Sequence, residues 1–510
     1  MTDAFPWLTT LIVLPLVGAA VTAYLPSGGV IARQVGLGFA LVTLAVAGLM
    51  ALQYDAGAGM QLTEEHDWIN VFGAHYALGV DGLGLLMILL TVVLVPIVMV
   101  ASWHEVSPRA DVFFAWTLML EALSIAVFAA TDVFLFYIVF EATLIPAYFL
   151  IGGFGREGRS RAAVKFLIYQ LAGGLIMLAS VIGFYVVSAR AGNPSFLISE
   201  LATLDIDPVA ERWIFVGFFI AFAIKAPMFP VHTWLADTTE RATTGTSVLL
   251  VCILDKIGTF GMLRFCLGLL PGASEWATPV VVVLALISIV YGALVAIGQD
   301  DMLRLIGLTS LSHFGLIVLG IFVFTSEGGA GAILYMVNHG IATAALFLIA
   351  GYLVRRRGSA LISQMGGVEK VAPVMAGTFL VAGLAACGLP GLSPFVSEIL
   401  VLISAFDYAW WAGAVAVSAI VLAAIYILWM YQRAMTGPTH PEVAGFRDLD
   451  RRELGAVAPL LVALVVFGFY PMPLLEVINP TVDTTLEQVG VTPEEPVVPT
   501  AGHAGEEAHQ

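Results

Sequence analysis

Fourteen apolar runs follow one another along this chain, and they limit it to one kind of fold. They begin near Phe5, Arg33, Gly82, Ala110, Thr131, Val164, Arg212, Thr246, Thr278, Asp301, Gly331, Ala372, Ala409 and Leu454. A helix needs ~20 apolar residues to cross a bilayer, and each run supplies about that length. Composition agrees: 60% of the 510 residues are hydrophobic and 11% are charged, against about 25% charged in a soluble domain. Mean hydropathy is +0.96. The expected fold is an all-α polytopic membrane protein. Residues 1–479 read as one membrane domain and 480–510 as an acidic, disordered tail on the outer side. The start, MTDAFPWLTT, has no basic leader and carries Asp3, which favours a retained first span over a cleaved signal.

Several function classes drop out. The net charge of -16 and the lack of a basic patch argue against nucleic acid as a partner. Cys252, Cys266 and Cys387 all fall in apolar runs and form no C-x-x-C pair, so neither an iron–sulfur cluster nor a structural zinc is expected. There is no G-x-G-x-x-G and no P-loop. The chain is expected to bind no metal and no cofactor of its own.

Lysine and arginine favour the inner side of a membrane. With fourteen spans both termini share a side. Placing them outside puts sixteen of the 21 basic residues in inner loops. Arg190, Arg212 and Arg264 are then outside, and Lys225 and Lys256 lie mid-span. Two spans are interrupted: the seventh by Pro227 and Pro230, the twelfth by GLPGLSP at 388–394. Five spans apart, they run in opposite directions. Corresponding breaks in two halves mark an inverted repeat. Spans four to eight (about 110–268) and nine to thirteen (about 278–433) are the expected five-helix repeats.

Charges in lipid are costly, on the order of 2.5–3.5 kcal/mol each at a helix centre, and usually have a role. Glu141 falls ten residues into span five, Lys225 thirteen into span seven and Lys256 ten into span eight. At ~1.5 Å per residue these reach similar depths. Glu398 follows the break in span twelve. Static ion pairs are one reading, but buried pairs contribute little to stability. Proton relay is the other. Burial and a nearby opposite charge shift proton affinity in opposite senses, so a pair that moves apart can release a proton.

Histidines suit such a relay, since imidazole both takes and gives a proton near neutral pH. His232 follows Lys225 in the broken span, and His313 and His339 fall mid-span in spans ten and eleven. A lone buried histidine is more often a satisfied core residue, but two in consecutive spans favour function. Glu121 in span four and Asp255 beside Lys256 are possible further members. Asp255 points about 100° round the helix from Lys256.

These residues resemble the antiporter-like membrane subunits of respiratory complex I and of the multisubunit sodium–proton antiporters. The resemblance rests on FYIVFEATLIP, AFAIKAPMFPVHTWL, DKIGTFGMLRF, TSLSHFG and LPGLSPFVSEIL. It covers spans four to thirteen well and both ends loosely. Glutamate at Glu398, where related subunits usually carry lysine, points to one of the complex I subunits. The resemblance implies fourteen helices in two inverted repeats. It implies Glu141 and Lys225 as a coupling pair, Lys256 as the central relay, Glu398 as the outer-side group, and His232, His313 and His339 as connectors. NADH, FMN, iron–sulfur clusters and quinone would sit in partner subunits. Those partners would include paralogous antiporter-like subunits, in an energy-transducing membrane such as a bacterial plasma membrane, with lipids around them. The chain departs from the family's H-T-W-L-P-D-A-H: Ala236 replaces a proline, and no histidine follows Asp237. A sodium–proton antiporter subunit, or a structural subunit with static pairs, are the alternatives.

Overall fold

The computed structural model describes residues 5–26, 29–106, 109–192 and 194–492. Among these, 12 helices are long and apolar enough to cross a membrane, from Trp7–Tyr24 to Arg451–Phe469. Two further crossings are made in pieces. Pro208–Lys225 is followed by Thr233–Arg241, and Pro373–Ala386 by Ser393–Tyr408. These are spans seven and twelve, so the expected count and both interruptions are present.

Lipid is as apolar as leucine, so outer helices expose Val, Leu and Ile without cost. The first two helices and the last span do this over most of their length. Spans eight (Thr244–Leu267), ten (Met302–Phe322) and eleven (Ser326–Arg357) are enclosed by protein throughout their apolar middles. Lys256, His313 and His339 therefore lie in the three most sheltered helices of the bundle.

Three features depart from the sequence reading. The loop before span three holds a hairpin, β1 (Gln61–Ile69) antiparallel to β2 (Ala74–Val80), with His66 opposite Tyr76. Its second strand bridges Leu78 to Ala130, and the His75 N–H donates to Asp132 at 2.8 Å, which seats it over the junction of spans four and five. The chain after the last span is helical over Met472–Gln488, beyond Pro480, where the tail was placed. The reason is an apolar stripe: Ile478, Val482 and Leu486, four residues apart, are buried against the bundle. The rest of that tail, 493–510, lies outside the described residues. Thirdly, span five is interrupted at Thr143, between Val133–Ala142 and Leu144–Phe154.

Candidate functional site: a buried row of titratable groups

Pro146 explains the break in span five. It has no N–H to offer the carbonyl of Ala142, so the helix loosens there. The Thr143 hydroxyl folds back on the Phe140 carbonyl at 2.7 Å and also stands 3.4 Å from Lys225 Nζ. Lys225 is the last residue of its helix and is 1% exposed. A helix C-terminus favours a cation, and Nζ also sits 4.8 Å over the Phe140 ring.

Pro227 and Pro230 end that helix, and the freed groups find partners inside the protein, as broken helices in membranes require. Trp234 Nε1 donates to the Ile224 carbonyl at 3.0 Å, and the Phe229 N–H to Ser288 Oγ at 3.0 Å. Glu141 is half-buried; its carboxylate lies against Gly174 of span six, and Oε1 has no hydrogen-bond partner. Its charge acts on Lys225, as does that of Asp255.

Spans seven and eight cross beside the two lysines. A Cβ on Gly258 would lie 2.5 Å from Ala226 N and 2.6 Å from the Phe222 carbonyl, so only glycine permits the approach. Asp255 is 1% exposed, its Oδ2 has no partner, and the charges of both lysines act on it. Span eight widens into π turns at Leu250–Leu254 and Met262–Leu267, on either side of Lys256–Gly261. Such turns gather at functional sites. Here the first leaves the Val251 carbonyl to accept from Lys256 Nζ at 3.1 Å.

From Lys256 the contacts continue. Its Nζ is 2.7 Å from His339 Nδ1 and 4.4 Å over the Phe314 ring. The His339 and His313 ring centres are 5.2 Å apart. His313 Nε2 is 3.3 Å from the Tyr426 hydroxyl, and its ring centre is 5.9 Å from that of Tyr335. The Tyr335 hydroxyl donates to Glu398 Oε1 at 2.6 Å. Glu398 is 4% exposed, and its carboxylate fills the space where a side chain at position 388 would go. Gly388 is thus required twice, for that space and for its φ of +70°. Asn338 Nδ2 donates to the Ser393 carbonyl at 2.8 Å, holding the second half of span twelve in place.

Of the residues singled out from sequence, Lys256, His339, His313 and Glu398 are gathered into one row, and Glu141 with Lys225 form a second cluster next to it. Asp255 neighbours Lys256 in span eight and feels the charges of both lysines. His232 stands apart: it opens the helix Thr233–Arg241 and packs on Phe229 and Tyr291, with ring centres 6.0 and 5.2 Å away. Glu121 is 1% exposed with both oxygens unpartnered, and joins neither cluster. Sequence reasoning missed Thr143, Tyr335, Tyr426 and Asn338. Tyr335 precedes His339 by four residues and so shares its helix face, a signal that was available. Near the basic loops, the segment that departs from the family pattern is tied down by ion pairs. Asp237 meets Lys165 at 2.6 Å and Arg304 at 2.7 Å, and Arg304 also meets Glu240 at 2.7 Å.

Comparison with known proteins places this geometry. Residues 130–423 match the family model described as NADH:quinone oxidoreductase/Mrp antiporter, TM. The NADH-quinone oxidoreductase subunit M of Mycobacterium tuberculosis is 47% identical over 95% of both chains. Among solved structures, a chain of respiratory complex I from Thermus thermophilus superposes with TM-score 0.87 at 31% identity, covering 95% of this chain and 100% of that one. A chain of the Mrp complex from Dietzia superposes with TM-score 0.82 at 21% identity, over 94% and 99% of the two chains, which speaks to the fold. The chain belongs to the NADH:quinone oxidoreductase/Mrp antiporter family of antiporter-like, proton-translocating membrane subunits, on the branch of subunit M.

Proposed function

We propose that this chain serves as a proton pump within an NADH–quinone oxidoreductase, using the row Glu141, Lys225, Lys256, His339, His313 and Glu398. The observation that carries this reading is the 2.7 Å contact of Lys256 with His339 in the enclosed middles of spans eight and eleven. A lysine and a histidine in hydrogen-bond contact and away from lipid form a transfer step rather than a brace.

In this reading an ionised Glu141 keeps Lys225 protonated. When Glu141 is neutralised or drawn away, Lys225 releases its proton past Asp255 towards Lys256. Lys256 Nζ gives a proton to His339 Nδ1, and imidazole can then part with one from its other nitrogen. His313 receives it, and Tyr335 holds Glu398 ready to accept and discharge it. His232, on the basic-loop side of Lys225, serves uptake. Glu141, Lys225 and Lys256 belong to one inverted repeat, about 110–268, and His313, His339 and Glu398 to the other, about 278–433, with basic loops inside and both termini outside. NADH, FMN, iron–sulfur clusters and quinone belong to partner subunits, and their chemistry drives Glu141. The membrane is energy-transducing, a bacterial plasma membrane.

Replacing Lys225 with alanine in the assembled complex tests this. NADH oxidation should persist in part while protons pumped per NADH fall; full stoichiometry would end the reading. The fold shared with the Mrp chain favours one other reading, sodium–proton exchange. Purified complexes lacking NADH-driven quinone reduction but exchanging sodium would decide for it.

A further inference from the structure

Six phenylalanines form a closed layer on one side of the row. Phe136 and Phe265 ring centres are 4.3 Å apart, Phe128 and Phe260 5.3 Å, Phe218 and Phe265 5.6 Å, and Phe218 and Phe222 5.7 Å. Phe136 joins the groups, 6.4 Å from Phe260 and 6.1 Å from Phe222. All six are 1% exposed or less. They come from spans four, five, seven and eight.

Their order along each span is the informative part. In spans four and eight the acid or base comes first and the ring later: Glu121 then Phe128, and Asp255 and Lys256 then Phe260 and Phe265. In spans five and seven, which run the other way, the ring comes first: Phe136 then Glu141, and Phe218 and Phe222 then Lys225. These six rings therefore lie towards the hairpin face, with Glu121, Glu141, Lys225, Asp255 and Lys256 on their far side, while Glu211, Arg212 and Arg264 lie on the hairpin side.

Beyond the layer lies polar space. A cavity of about 300 Å³ beneath the hairpin is lined by Glu65, Asp81, Arg264, Thr481, Thr485 and Gln488, among others. Arg264 borders it, paired with Asp81 at 2.6 Å, and its guanidinium sits 5.4 Å over the Phe260 ring. Burial and the Asp81 charge push the nearby Tyr54 phenol up to about 12, so it stays neutral there. Arg264 follows Lys256 by eight residues, about 12 Å at 1.5 Å per residue. Along span eight Phe260 lies between Arg264 and Lys256.

We propose that this phenylalanine layer, topped by the Arg264–Asp81 ion pair, is the insulator of the pump. It closes the hairpin side to Lys225 and Lys256, so that a proton on Lys256 leaves only through His339. Apolar constrictions exclude water, and the pairing with Arg264 keeps the Asp81 carboxylate from standing uncompensated at the layer's edge. The proposal rests on the relay reading and adds the wall that gives it direction.

The test uses the whole complex in liposomes with a trapped pH dye. After an imposed pH step without NADH, Phe260→Asn should raise passive proton entrance about tenfold, the equivalent of one 1.36 kcal/mol step in a barrier. NADH oxidation should continue while protons retained per NADH drop. Phe260→Leu should stay tight, Arg264→Gln should leak by a smaller factor, and adding Lys256→Met to Phe260→Asn should stop the leak. Vesicles with Phe260→Asn as tight as the parent, or a leak that survives Lys256→Met, would overturn the proposal. Should Phe260→Asn fail to assemble, a tight Arg264→Gln complex overturns it. Lys256→Met alone, scored by NADH-driven pumping, judges the relay separately: full pumping sinks the relay, whereas the leak assay without NADH judges the wall.

Discussion

The charge cluster around Lys225 and the row from Lys256 to Glu398 share one membrane domain but are built differently. Around Lys225 the contacts are few and long: a hydroxyl at 3.4 Å, a ring at 4.8 Å, and a half-buried glutamate with one oxygen unpartnered. Between Lys256 and Glu398 the end contacts are short, 2.7 Å to His339 and 2.6 Å from Tyr335, the two histidine rings between them are 5.2 Å apart at their centres with His339 Nε2 and His313 Nδ1 unpartnered, and the four relay groups are 4% exposed or less. A tight row has one resting arrangement and serves to conduct. A loose pair has room for two arrangements and serves to decide. Switch and wire are separate parts, joined where Gly258 meets Ala226.

Cutting the wire should therefore do more than loosening the switch. Lys256→Met removes the first group of the wire and keeps the bulk of the side chain. The pumping carried by this chain should fall by about a hundredfold, two steps of 1.36 kcal/mol, read as protons per NADH in reconstituted vesicles. Glu141→Gln leaves the wire whole but gives Lys225 a fixed neutral neighbour. Pumping should drop by about tenfold, with NADH oxidation less affected than in Lys256→Met. A Glu141→Gln complex more damaged than Lys256→Met would reverse the assignment of the two parts.

The parts differ equally in how far the sequence revealed them. Span number and both broken helices were legible because apolar length and Pro/Gly interruptions are local signals. Lys225, Lys256, Glu141 and Glu398 were legible because a charge inside an apolar run has few reasons to be there. Tyr426 was not, since a tyrosine in a membrane helix is ordinary until its hydroxyl is seen against His313, and Tyr335 was legible only through its place four residues before His339. Thr143 was hidden because the break that aims it at Lys225 comes from Pro146, three residues on. His232 was legible as a residue but not in its place. Counting turns from Lys225 assumes a continuous helix, and the break sends it to Phe229 and Tyr291 instead. The hairpin was missed because QLTEEHDWI lacks the apolar alternation that marks a strand.

The smallest expected effects give the sharpest comparison, because one chemical change can be made in each part. Tyr335→Phe and Thr143→Val each delete a hydroxyl and keep the apolar body. Tyr335 donates at 2.6 Å to a buried carboxylate, and nothing else in contact replaces that donor on Glu398 Oε1. A net hydrogen bond of about 1 kcal/mol corresponds to pumping slowed about fivefold. Thr143 stands 3.4 Å from Lys225, and its own proton already goes to the Phe140 carbonyl. A contact that long is weak, so Thr143→Val should change pumping by less than about twofold. Equal losses in the two variants would mean that the Lys225 cluster is held as firmly as the row. The division into a loose switch and a tight wire would then have to be abandoned, since the difference in contact length would have no functional counterpart.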